Sequence, residues 1–205
     1  ILIGTGNNGK ICQIRKIFGW VGDKRVFKLF SLRDIRISDD VVEDQPTIAG
    51  NAIKKARSYV EKSNMITIAD DFGISVDALN GFPGVRSKRW MKGSDEDRRL
   101  ALLDMISHVP EKERSAKYIG VTVLICPDGR EYFCQTEIQG RIIAPVALSE
   151  SNFGYDPIFY DLKRKKTISQ FDDREIYLYG HRGIGIRTVI SEMIADNVCR
   201  KRSGK

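Results

Sequence analysis

Apolar and polar residues follow two rhythms along this chain. Ile11, Ile14, Ile17 and Phe18 fall at helical spacing, so "ICQIRKIFGWV" predicts a helix. Before it come a short apolar run, residues 1–3, and the turn-like "TGNNGK", giving strand, glycine-rich turn and helix. "KRVFKLFSL" alternates and predicts a second strand. "IAGNAIKKARSYVEKS" lines up Ile48, Ala52, Ala56, Tyr59 and Val60 on one side of a helix. "MITIA" predicts a buried strand that runs into two adjacent acids, Asp70 and Asp71, at its end. "ISVDAL" predicts a separate short strand and "NGFPG" a turn. "DEDRRLALLDMIS" predicts an amphipathic helix starting near Ser94 or Asp95.

The second half changes character. Residues 116–143 are rich in β-branched and aromatic side chains, with "PDG" at 127–129, and predict a hairpin. "FGYDPIFY" predicts a loop leading to a short strand, and "IGIRTVISEMIADNVC" a final helix. Mixed order with a long antiparallel section predicts an α/β fold. We expect two lobes on a shared sheet with a cleft between them, in one domain over residues 1–205, with a basic tail from about residue 199.

Composition narrows the picture. The chain has 205 residues, 41% of them hydrophobic and 30% charged, which suits a globular protein. No apolar run approaches the roughly 18 residues that a membrane helix needs. The opening "ILIGTGNNGK" has no secretory pattern, and its lack of an initiating Met predicts a trimmed or processed chain. Cys12, Cys126, Cys134 and Cys199 lie far apart and only two histidines are present, so the spacing of a zinc site is missing. Free thiols and a cytoplasmic setting are expected. The formal net charge of +7 favours anionic partners. Much of it sits in "KRKK" at 163–166 and in "CRKRSGK" at 199–205, read as solvated segments before a nucleic-acid patch.

Four short stretches carry candidate chemistry, and each has a plain structural reading beside it. Thr5, Gly6, Asn7, Asn8, Gly9 and Lys10 place small residues and a lysine at a helix start, as a phosphate cradle or as an ordinary turn; the Walker A pattern is absent. Asp70 and Asp71 are a Mg²⁺ corner or a charged turn; two adjacent carboxylates repel unless a cation intervenes. In "FGYDP" a base can stack on Phe153 or Tyr155 while Asp156 accepts from a base N–H, or Gly154 and Pro157 merely set a packed turn. His181 and Arg182 are adjacent donors suited to a purine keto oxygen, or the start of a helix.

Their order is more telling than any one of them. T-x-N-x-x-K (Thr5, Asn7, Lys10) precedes N-A-x-x-K-A (Asn51, Ala52, Lys55, Ala56). Then come A-D-D-x-G with D-A-L-x-G-x-P-G-V, F-G-Y-D-P-I-F, and H-R-G. In these motifs the chain resembles the inosine/xanthosine triphosphate pyrophosphatases, which remove deaminated purine nucleotides. The resemblance spans residues 2–194 and implies an elongated two-lobed fold, a homodimer, and Mg²⁺-dependent hydrolysis of ITP, dITP or XTP to the monophosphate and pyrophosphate. It implies Asp71 as general base and metal ligand with Asp70 alongside, and Glu43 as a second metal ligand. It implies Thr5, Asn7, Lys10 and Lys55 on the phosphates, Phe153 and Asp156 on the base, and His181 and Arg182 on its 6-keto group. Adenine presents a donor there, so strong rejection of ATP is expected.

Six positions depart from that pattern: Gln13 for a glutamate, Gly50 for an acid, Phe72 for a hydroxyl residue, Arg86 for a tyrosine, Ile176 for a lysine and Gly180 for a serine. Each lost charge-assisted contact costs roughly 1.5–3 kcal/mol. Arg174 or the 163–166 run is a candidate replacement for the lost lysine. The alternative function is a weakened member of the same fold that binds nucleotides or RNA without turnover.

Overall fold

In the computed structural model, which describes residues 1–21, 27–145 and 153–203, the chain opens as its pattern predicts. β1 (Leu2–Ile3) stops at Gly4, and α1 (Asn8–Phe18) follows. The Asn7 side-chain oxygen caps α1 by accepting the Lys10 amide at 3.1 Å. Ile14, Ile17 and Phe18 form the buried face, packed with Ile3 and Ile68. The expected second strand shortens to β2 (Phe30–Ser31), because Asp34 accepts from both the amide and the hydroxyl of Ser31 and turns the chain. Residues 24–26 of that stretch lie outside the described residues. α2 (Ile48–Ser63) starts at the Thr47 cap and ends at Asn64, which adopts a left-handed φ of 50°.

The two strands expected around the aspartates are one. β3 (Thr67–Val76) runs straight through Asp70 and Asp71, so the acids sit mid-strand and not at a strand end. β4 (Ser115–Ile125) pairs with all of it, from Thr67 opposite Ile125 to Val76 opposite Ala116. The charges do not break the ladder because each is met by a cation. β4 and β5 (Glu131–Ile142) form the expected hairpin, with Gly129 at φ 86° in its turn. β6 (Phe159–Asp161) and β7 (Lys166–Thr167) complete a sheet ordered β2-β1-β3-β4-β5-β6-β7. β1 is parallel to both its neighbours, and the other pairs are antiparallel.

Alternation in β4 splits the core. Val121, Val123 and Ile125 meet Ala52 and Ala56 of α2, while Leu124 meets the long last helix α5 (His181–Ser203) on the other face. α3 (Asp95–Met105) starts where the sequence suggested and is held there by a capping box of Ser94 and Asp97. α4 (Asp173–Tyr179) precedes α5, which begins at His181, earlier than its apolar pattern indicated, and continues into the basic segment to Ser203. No described helix is long and apolar enough to cross a membrane.

Two glycines let α5 lie directly on β4. A Cβ on Gly120 would stand 2.7 Å from the His181 ring, and one on Gly185 would collide with the Thr122 hydroxyl. The start of α5 is thereby fixed over the middle of β4. Gly120→Ala should overpack this contact and lower stability by about 1–3 kcal/mol, read as a shift in urea midpoint at unchanged slope. A variant as stable as the parent would show that the approach is not tight.

Candidate active site

The site lies where β1 ends. β1 pairs with Thr67 and Ile68 only, so among the described residues the edge of β3 beyond them has no neighbouring strand until Pro83 bridges to Ser75. The Asp70 carbonyl is buried at that edge and takes two lysines. Lys10 of α1 donates to it at 3.1 Å and Lys55 of α2 at 2.8 Å. Both ammonium groups are buried, and both belong to the wall of a cleft of about 990 Å³.

Thr5, Gly6, Asn7 and Asn8 form one side of the cleft at the start of α1, and Phe153, Gly154 and Tyr155 form another. The predicted pieces are thus brought together; Gly9 backs onto the Phe153 ring, 3.1 Å from where its Cβ would be. Asp71 and Glu43 also line the cleft and converge on Lys55, with oxygens 3.6 and 2.7 Å from its nitrogen. Glu43 additionally pairs with Arg89. Among the described residues no group of three or more acidic, His or Cys side chains is arranged for a metal. Two carboxylates with oxygen donors only still fit a hard cation, which completes its shell with water and phosphate oxygens.

Period-2 geometry sends Asp70 to the opposite face from Asp71. The Asp70 carboxylate is buried behind the cleft wall and pairs with Arg182 at 3.0 and 2.8 Å and with Lys10 at 3.3 Å. Burial opposes its ionisation, but Arg182 and Lys10 outweigh that and hold its carboxyl well below the usual range. Burial also pushes Lys10 down, to about 8, although Asp70 works against the shift. Arg182 spends its third bond on Gln13, the residue standing where the resemblance expects a glutamate.

His181, Arg182 and Asp156 are likewise behind the wall. His181 stacks on Tyr118 with centroids 4.9 Å apart; burial and the Arg182 charge hold its pKa well below the usual histidine value, so it is neutral at pH 7. Asp156 accepts from the Tyr118 hydroxyl at 2.9 Å, and burial raises its carboxyl to about 7.

Several participants carried no sequence signal. Asp95 accepts the Gly154 amide at 3.0 Å and Arg99 donates to the Gly154 carbonyl at 2.7 Å, so α3 clasps the aromatic loop from both sides. Within an amphipathic helix these charges read as a solvated face. The Tyr155 hydroxyl donates to the Ser87 carbonyl at 2.7 Å and accepts from Trp90 at 2.8 Å. The candidate replacements for the lost lysine do not reach the cleft. Arg164 pairs with Asp161, Lys166 with Glu175, and Arg174 is exposed elsewhere. Ile176 packs as an apolar residue between two core clusters.

Fold and site together define a mixed α/β protein whose cleft sets two buried lysines against two carboxylates, an arrangement suited to a polyphosphate. Over residues 1–192 the chain matches the Ham1 family, and it belongs to that family. It is 34% identical over 199 residues to a dITP/XTP pyrophosphatase of Corynebacterium glutamicum, covering 94% of this chain and 96% of that protein. A dITP/XTP pyrophosphatase of Symbiobacterium thermophilum is 38% identical over 159 residues, 78% of this chain and 77% of its own. The Staphylococcus aureus Ham1 protein superposes with a TM-score of 0.75 at 30% identity, covering 97% of this chain and 98% of that one.

Asp156 makes stability depend on pH. Its folded pKa of about 7 lies above the unfolded value, so between roughly pH 4 and pH 7 the folded state binds more protons. Stability contributed by the protonated form is therefore complete below about pH 4 and lost as pH rises to about 7. Asp156→Asn should flatten that slope, measured by urea unfolding across the interval; an unchanged slope would assign the dependence to another group.

Proposed function

We propose that this chain hydrolyses deaminated purine nucleoside triphosphates, ITP, dITP and XTP, to the monophosphate and pyrophosphate. The observation that carries the reading is the meeting of Lys10 and Lys55 at the Asp70 carbonyl, with Asp71 and Glu43 facing the same space. The names of the relatives, dITP/XTP pyrophosphatase, support the same substrate class.

The triphosphate lies against the start of α1, where unpaired amides and the helix dipole favour an anion. Thr5, Asn7, Lys10 and Lys55 hold its oxygens. Asp71 orients a water and accepts its proton as oxygen attacks the α-phosphorus. The bond from that phosphorus to the bridging oxygen breaks, and pyrophosphate leaves with the electron pair. Lys10 and Lys55 spread the charge that builds on it. Glu43 and Asp71 would hold Mg²⁺, which supplies further neutralisation of the leaving group. Asp70 keeps Lys10 charged and Arg182 in place. Phe153, Gly154 and Tyr155 shape the base end, with Asp156, His181 and Arg182 beneath it.

We take residues 1–205 as one domain, because the described strands form a single sheet. A homodimeric state and a cytoplasmic setting are assigned on the family resemblance. A second reading, a nucleotide- or RNA-binding relative without turnover, is favoured by Phe72 and Ile176, which replace a hydroxyl and a cation.

A panel of ITP, XTP, dITP, GTP and ATP, with and without Mg²⁺, separates the two readings. Pyrophosphate release from the 6-keto substrates is expected; binding of all of them with no release would leave the second. Asp71→Asn should lower kcat by at least about 100-fold, and an undiminished variant would remove Asp71 from the reaction. Lys10 must be protonated to hold phosphate, so kcat/KM should fall as pH rises through about 8. A profile flat to well above that pH would mean that the Lys10 charge is not needed.

A further inference from the structure

We propose that Phe72 is an aromatic gate over His181 and Arg182, and that its ring limits how well this enzyme tells a 6-keto purine from adenine. The inference rests on the triphosphate hydrolysis and the base-end placement proposed above.

Phe72 follows Asp71 in β3 and stands on the cleft wall beside Phe153, with ring centroids 5.9 Å apart. His181 and Arg182 do not belong to that wall; they are 7% and 1% exposed. Phe72 and Phe153 both line the cleft and both lie against Arg182, the Phe153 centroid 5.8 Å from its guanidinium carbon, but of the two only the Phe72 ring is in contact with His181. Its centroid is 5.3 Å from that of His181 and 5.8 Å from the Arg182 guanidinium carbon. Its far edge comes within 3.6 Å of where a Cβ on Gly154 would be, so the ring spans from β3 to the aromatic loop. Tyr118 backs it in a stacked contact at 5.4 Å.

Behind the ring is an unsatisfied group. His181 Nε2 is buried with no hydrogen-bond partner among the described residues. A buried polar atom left unpaired is costly, so this nitrogen is poised for a ligand atom. The three bonds of Arg182 are spent on Asp70 and Gln13. With Phe72 in place, an incoming base meets two aromatic faces. Every base has a π face, so stacking discriminates weakly. Discrimination needs hydrogen bonds to the 6-position, which become available when the Phe72 ring turns aside. The fraction of time the gate stands open then scales the advantage of a keto purine.

A different role for this position makes a different prediction. If Phe72 mattered only as the absence of a phosphate-binding hydroxyl, replacing it would change all triphosphates alike. The test therefore uses Phe72→Ala and Phe72→Leu, neither of which restores a hydroxyl. The ratio of kcat/KM for ITP to that for ATP should rise at least about fivefold in Phe72→Ala, and by less in Phe72→Leu. A smaller rise, or a fall, in Phe72→Ala overturns the gate. Labelling with diethyl pyrocarbonate gives a readout independent of turnover, since the chain has one other histidine, the exposed His108. His181 should react at least about fivefold faster, relative to His108, in Phe72→Leu than in the parent, with a larger gain in Phe72→Ala. Equal labelling in parent and variants also overturns the gate. If the parent turns over no triphosphate, the proposed function fails, and labelling alone then decides whether Phe72 covers His181.

Discussion

Asp70 binds three cations through two chemically different groups. Its carbonyl takes Lys10 and Lys55 on the open edge of β3, and its carboxylate takes Arg182 and Lys10 behind the sheet. Removing one partner of a buried ion pair costs about 3–5 kcal/mol, because the survivor is left uncompensated. The residue therefore ties α1, α2 and α5 to one point of the central sheet. The cleft exists because β1 stops where that point begins.

Asp71 serves the other face of the same strand. It shares Lys55 with Glu43, so the ammonium that touches the Asp70 carbonyl also gathers the two cleft carboxylates. A single residue of strand, with its two directions, separates a structural counter-ion from a group exposed to substrate. The sheet itself divides the structural role from the chemical one.

The aromatic end is built by a second set of contacts. α3 grips Gly154 through Asp95 and Arg99, Tyr155 is anchored through Ser87 and Trp90, and Tyr118 reaches Asp156. None of these depends on the lysines. The phosphate end and the base end are thus fixed independently and meet at Phe72, which Lys10 overlies at 5.2 Å and Phe153 flanks.

Much of this was legible in the sequence. The strand–turn–helix opening, the hairpin at "PDG" and the start of α3 near Ser94 follow from period and turn chemistry, which are local properties of the chain, whereas Lys55 of α2 was marked only by the family resemblance. The motif order pointed to the family to which the chain belongs. Local pattern failed where charge interrupts hydrophobicity: Asp70 and Asp71 read as the end of a strand, yet cations from three distant helices keep them inside one. It failed equally for Asp95 and Arg99, whose partner is a backbone 55–59 residues away. The sequence by itself determined the strand–turn–helix opening, the hairpin, the start of α3 and the order of motifs that marks the family, because propensity and turn chemistry act over a few residues. Only the tertiary structure decided which acid faces the cleft and which side chain stands before His181, because burial and ion pairing are settled by groups far apart in the chain.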